Sequence, residues 1–62
     1  MKTYIVKAVK TFEDLIVVEL LYPDDRSYAG SVDNDPQSDR YVEDCPNWEV
    51  GQVITLPPLS IV

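Results

Sequence analysis

Histidine is absent from this chain, cysteine occurs once (Cys45), and glycine only twice (Gly30 and Gly51). Each shortage removes a class of chemistry. Without imidazole there is no Ser-His or Cys-His nucleophile pair, and a structural zinc site lacks its usual ligands. A single thiol closes no intramolecular disulfide. Neither glycine is followed by a Lys-Ser/Thr pair, so no phosphate-cradling loop is present. No apolar run approaches the roughly 18 residues that span a bilayer, and Lys7 and Lys10 interrupt the N-terminal stretch before a signal-type segment can develop. With no export signal and a lone thiol, the expected location is the reducing cytoplasm.

Basic side chains are also few, five against eleven acids, for a formal charge of −6. That charge is segregated. Residues 23–49 hold eight of the acids (Asp24, Asp25, Asp33, Asp35, Asp39, Glu43, Asp44 and Glu49) against only Arg26 and Arg40, while the flanks are neutral. Such a balance repels nucleic acid and anionic membrane, and points to a basic partner.

The 62 residues make one domain, 1–62, near the lower size limit for independent folding. A 45% apolar composition with four Tyr and one Trp nevertheless predicts a packed core. Residues 3–10 read as a strand, with Tyr4, Val6 and Ala8 on one face and Ile5, Lys7 and Val9 on the other. In residues 15–22, three consecutive β-branched residues favour a strand. Ile16, Val18, Leu20 and Tyr22 then share one face, and a mostly apolar opposite face predicts cover on both sides, in a closed barrel or a subunit contact. Residues 11–14 then make a tight hairpin connection between the two strands; the alternative is an α+β fold with a helix over 12–22, begun by the Thr11-x-x-Asp14 pattern.

Pro23 ends this element. Residues 27–32 read as a short edge strand or a loop anchored by Tyr28, and 33–39 as an exposed loop. Residues 40–45 regain strand character, with Tyr41, Glu43 and Cys45 on one face and Val42 on the other. Residues 47–56, where Trp48 and Val50 precede a Gly51 turn and an alternating strand, resemble strand entries of SH3-like and OB-like barrels. Residues 59–62 are apolar enough to pair back as a final strand or to tuck under the barrel. The expected fold is all-β: a small curled antiparallel sheet, or an SH3/OB-like barrel, of four or five short strands.

Chemistry is thin. Acidic neighbours raise the Cys45 thiol instead of activating it, and carboxylates in polar surroundings stay ionised in a chain too short to wall a substrate cleft. No enzyme activity and no cofactor are expected. Asp33-x-Asp35-x-Gln37 offers oxygens at alternating positions, but Ser38 stands where a calcium loop needs glycine and Pro36 interrupts the turn, so no metal is expected. Residues 60–62 have the form of a tail that adds to a sheet edge, and 56–59 have a polyproline flavour.

What remains is an acidic surface with aromatics threaded through it. Asp24, Asp25, Asp33, Asp35, Asp39, Glu43 and Asp44, with Tyr28, Tyr41 and Trp48 as anchors, form the candidate partner-binding set. In composition this resembles the small acidic proteins of bacteriophages and mobile elements that mimic nucleic acid. The resemblance implies an inhibitor that acts by protein–protein contact and blocks a basic groove. The alternative is a structural or assembly subunit that self-associates, for instance as a homodimer, through the apolar strand at 15–21.

Overall fold

The computed structural model describes residues 2–57. They form a curled antiparallel half-barrel of four strands, β1 (Lys2–Phe12), β2 (Leu15–Leu21), β3 (Tyr28–Asp33) and β4 (Val53–Leu56), in the order β3-β2-β1-β4. The all-β expectation holds. The helix over 12–22 does not form, because the β-branched run of β2 fits the pleat between β1 and β3 on either side. Only a 3-10 turn, η1 (Cys45–Asn47), interrupts the connection from β3 to β4.

β1 and β2 form a tight hairpin. Phe12 pairs with Leu15, so the connection is only Glu13-Asp14, and Glu13 turns it from the left-handed region at φ 47°. A second feature re-aims β1: the register slips between Val6 and Ala8, leaving Lys7 as the extra residue of a β-bulge. The side-chain alternation changes phase there. Tyr4 and Val6 face the core before the bulge, but Val9 faces it afterwards, opposite Val18. This corrects the expectation that Ala8 shares the face of Tyr4 and Val6 and that Val9 lies on the other. Opposite the bulge, the Val6 N–H donates to the Gln52 carbonyl (2.9 Å) and the Gly51 N–H to the Val6 carbonyl (2.8 Å), which carries the β1–β4 pairing past Val53.

One face of the sheet is covered. Tyr4, Val6, Val18, Leu20, Val32, Ile54 and Leu56 are buried there, with Cys45 of η1 lying over them and Val42 and Trp48 packed beside it. Each such side chain removed from water contributes on the order of 1.5–3 kcal/mol. No polar or charged residue is buried among the described residues. The Tyr22 ring, just past β2, lies 6.1 Å from that of Tyr4.

Three expectations change here. Tyr28 opens β3, the edge strand that was one reading of residues 27–32, and at 56% exposure it does not anchor a loop there. Residues 40–45 form no strand: Tyr41 makes one parallel bridge to Asp33, held by Asp33 N–H to Arg40 carbonyl (3.1 Å) and Val42 N–H to Asp33 carbonyl (2.8 Å), before the chain turns into η1. Val42, expected to face away from Cys45, packs against the same core. The final strand expected at 59–62 and the tail at 60–62 lie outside the described residues.

Candidate functional site

The topology sorts the acidic residues by position along the strands. β2 runs from the Glu13-Asp14 turn to Pro23, and β3 returns, so Asp33 and the residues after it come back to the hairpin tip. Asp24 and Asp25 sit in the β2–β3 connection at the other end, a seven-residue strand or roughly 23 Å away. The acidic set is therefore divided. Asp33, Asp35 and Asp39 gather at the hairpin end, with Glu43 and Asp44 further along the same loop as it crosses to η1, whereas Asp24 and Asp25 stand apart. Of the aromatics, Trp48 is half-buried against the core, and Tyr28 and Tyr41 are exposed.

At the hairpin end lies an open notch of about 410 Å³, lined by Phe12, Glu13, Asp14, Leu15, Asn34, Asp35 and Pro36. Phe12, Leu15 and Pro36 supply apolar surface; Glu13, Asp14 and Asp35 bring three carboxylates. Asn34 clasps the two sides together: its Oδ1 accepts the Ile16 N–H (2.9 Å) and its own N–H donates to the Ile16 carbonyl (3.3 Å). In effect the side chain adds one rung to the β2–β3 ladder, beyond the Val17–Asp33 pair.

The loop after β3 is held by its own short polar side chains. Asp33 Oδ1 accepts the Asp35 N–H (3.2 Å), Asp35 Oδ1 accepts the Gln37 N–H (3.0 Å), and the Ser38 hydroxyl donates to Asp33 Oδ2 (3.0 Å). These turns explain the Asp-x-Asp-x-Gln spacing, since Asp side chains readily bond backbone N–H groups two residues on. Among the described residues no group of three or more Cys, Asp or Glu is arranged to hold a metal ion. The Arg40 guanidinium reaches back to the Ser31 carbonyl (3.4 Å) and covers part of the free edge of β3.

Asp25 has a similar local role at the far end. Its Oδ1 accepts both the hydroxyl (2.7 Å) and the N–H (3.0 Å) of Ser27, and these bonds hold its carboxyl below the ordinary aspartate value. Cys45 is fully buried, and desolvation, aided by the nearby Asp33 charge, pushes its thiol up. A thiol so placed is a packing group and a poor nucleophile.

Glu13 and Asp14 are the residues that sequence reasoning did not place in the site. They read as a turn outside the acidic segment, and only the return of β3 sets them beside Asp35. No residue type marks them, since Glu-Asp is ordinary for an exposed turn, and only the fold shows Glu13 in the left-handed region. Comparison of the chain with protein families, with curated proteins and with solved structures gives no match.

Proposed function

We propose that this protein binds a basic protein surface through its hairpin end and acts by occupying that surface. The observation that carries the reading is the notch, lined both by the carboxylate residues Glu13, Asp14 and Asp35 and by the apolar Phe12, Leu15 and Pro36. An aliphatic stem ending in a cation, as in Lys or Arg, matches both parts: the stem packs on the apolar residues and the charged head meets the carboxylates. Asp39, Glu43 and Asp44 on the adjoining loop extend the negative field beyond the notch.

The finer form of the proposal is that this field occupies a groove built for phosphates, as an intracellular, cytoplasmic inhibitor of the kind made by bacteriophages and mobile elements. A groove of that type selects negative charge and shape, which a rigid acidic loop supplies without any base. The support is the overall charge of −6 and the several carboxylates gathered at one end of the sheet.

The experiment is capture of partners from cell extract by the wild-type chain and by the Glu13→Gln/Asp14→Asn/Asp35→Asn variant, at low and high salt, with duplex DNA as competitor. Partners are expected to be basic, to be released by salt and by DNA, and to be lost with the variant. Partners retained equally by the variant at both salt concentrations would refute the binding proposal. Loss with the variant but indifference to DNA would refute only the mimicry.

A further inference from the structure

The face of the sheet turned away from Cys45 has no cover among the described residues. By register, Val53, Ile5, Leu21 and Tyr28 form one row across all four strands on that face. Val53 is 63% and Tyr28 56% exposed, and Ile5 and Leu21 are half-buried. Val17 continues the apolar surface toward the hairpin. The shortest extent of the molecule is only 16 Å, as a single sheet with one covering layer requires.

We propose that this face joins two copies of the chain. Charge selects the occupant. Four ionised side chains belong to the face, and they cancel: Lys7 and Lys10 against Glu19 and Asp33. Each is also engaged. Lys10 Nζ is 3.3 Å from Glu19, Lys7 Nζ lies 5.9 Å above the Tyr28 ring, and the Asp33 carboxylate is held by Ser38 and the Asp35 N–H. The whole −6 lies elsewhere on the molecule, so this neutral, apolar face is where two such chains meet without opposing their acidic loops.

Size points the same way. A chain of this length buries only about 60% of its unfolded surface, and oligomerisation is a usual remedy where disulfides and metals are missing. Four strands at about 4.8 Å spacing and seven residues at about 3.3 Å give roughly 440 Å² in plan. A stable interface takes roughly 800 Å² from each partner, so the dimer is of the small, weak and reversible kind. The row of Val53, Ile5, Leu21 and Tyr28 is roughly 20 Å along β2 from Leu15 of the notch, which leaves the notch of each copy at the far end of the face. The two roles can be tested separately, because neither Val53 nor Tyr28 lines the notch.

Sedimentation equilibrium over a concentration series tests it. The expected result is a mass rising from 7.0 kDa toward twice that value, with the Val53→Asp/Tyr28→Asp double variant at least tenfold weaker in association. Both positions are exposed in the single chain, and circular dichroism checks that the variant is folded. Amide NMR of the wild-type protein supplies a readout that needs no variant: resonances of Ile5, Leu21 and Val53 shift with concentration while those of Gln37 and Asp39 do not. A mass that stays at 7.0 kDa throughout overturns the proposal. So does a dimer that the folded double variant forms equally well, or concentration-dependent shifts confined to the acidic loop.

Discussion

Removing the Asn34 clasp tests how the notch is held. Asn34→Ala deletes the acceptor of the Ile16 N–H, a 2.9 Å bond in a part-buried position. A net hydrogen bond contributes about 1 kcal/mol, and stranding a buried donor costs about 1–3 kcal/mol. Because water reaches a part-buried site, we expect a total loss of about 1–2 kcal/mol. That is a large share of the roughly 3–9 kcal/mol that about 0.05–0.15 kcal/mol per residue gives a chain of this size. The midpoint of thermal unfolding should fall by roughly 5–15 °C. Urea denaturation followed by the fluorescence of Trp48, which packs against the core, measures the loss, and hydrogen exchange at the Ile16 amide localises it. Asn34→Asp keeps an acceptor oxygen and should lose less than Asn34→Ala. A loss below about 0.3 kcal/mol for Asn34→Ala, well under an ordinary hydrogen bond, would refute the idea that this side chain ties the loop to the hairpin.

Three further outcomes are expected. Glu13→Asn should raise stability by up to about 1 kcal/mol, since Asn tolerates the left-handed backbone better than Glu, while weakening any complex made through the notch; denaturation and binding titrations report the two effects separately. Cys45 should react with an aromatic disulfide reagent only as fast as the protein unfolds. Because burial raises its folded value, the stability that its neutral form contributes is complete below the unfolded thiol value and is lost as pH rises through the folded one, which denaturation at alkaline pH would show. Asp25 should titrate below ordinary aspartate by NMR, and Ser27→Ala should return it toward normal. With a lowered folded value, its contribution is present above the unfolded aspartate value and lost as pH falls through the folded one.

Where the fold was legible in the sequence, side-chain stereochemistry made it so. Ile16-Val17-Val18 resists a helix, and the alternation of Val53, Ile54, Thr55 and Leu56 announces a half-buried strand. The bulge at Lys7 was not legible: a two-residue period carries no mark of where one residue is skipped, and Lys7 fits a solvent-facing strand position in either phase. The candidate site was half legible for a different reason. Sequence proximity grouped Asp24 and Asp25 with Asp33 and Asp35, but an antiparallel strand between them carries the pairs to opposite ends of the sheet. The same reversal brings Glu13 and Asp14, some twenty residues upstream, to Asp35. Tyr28 could be read as the anchor of a loop because aromatics usually bury well, yet it faces the uncovered side of the sheet; Tyr41 is exposed as well, with its backbone bridged to Asp33.

The pairing of Lys2 with Leu56 bears on how the molecule assembles. The hairpin of β1 and β2 closes over two residues, and β3 needs only the short connection after Leu21, so these three strands can form from neighbouring chain. β4 docks only after residues 34–52 have crossed the core and placed Cys45, a loop whose closure entropy must be met before any contact rewards it. The edge formed last should also be the first to open, so amide exchange is expected to be fastest in β4 and slowest at Val18 and Leu20. Transient opening there would uncover Tyr4 and Val6 and leave the β1–β2 hairpin, with Glu13 and Asp14 at its tip, intact.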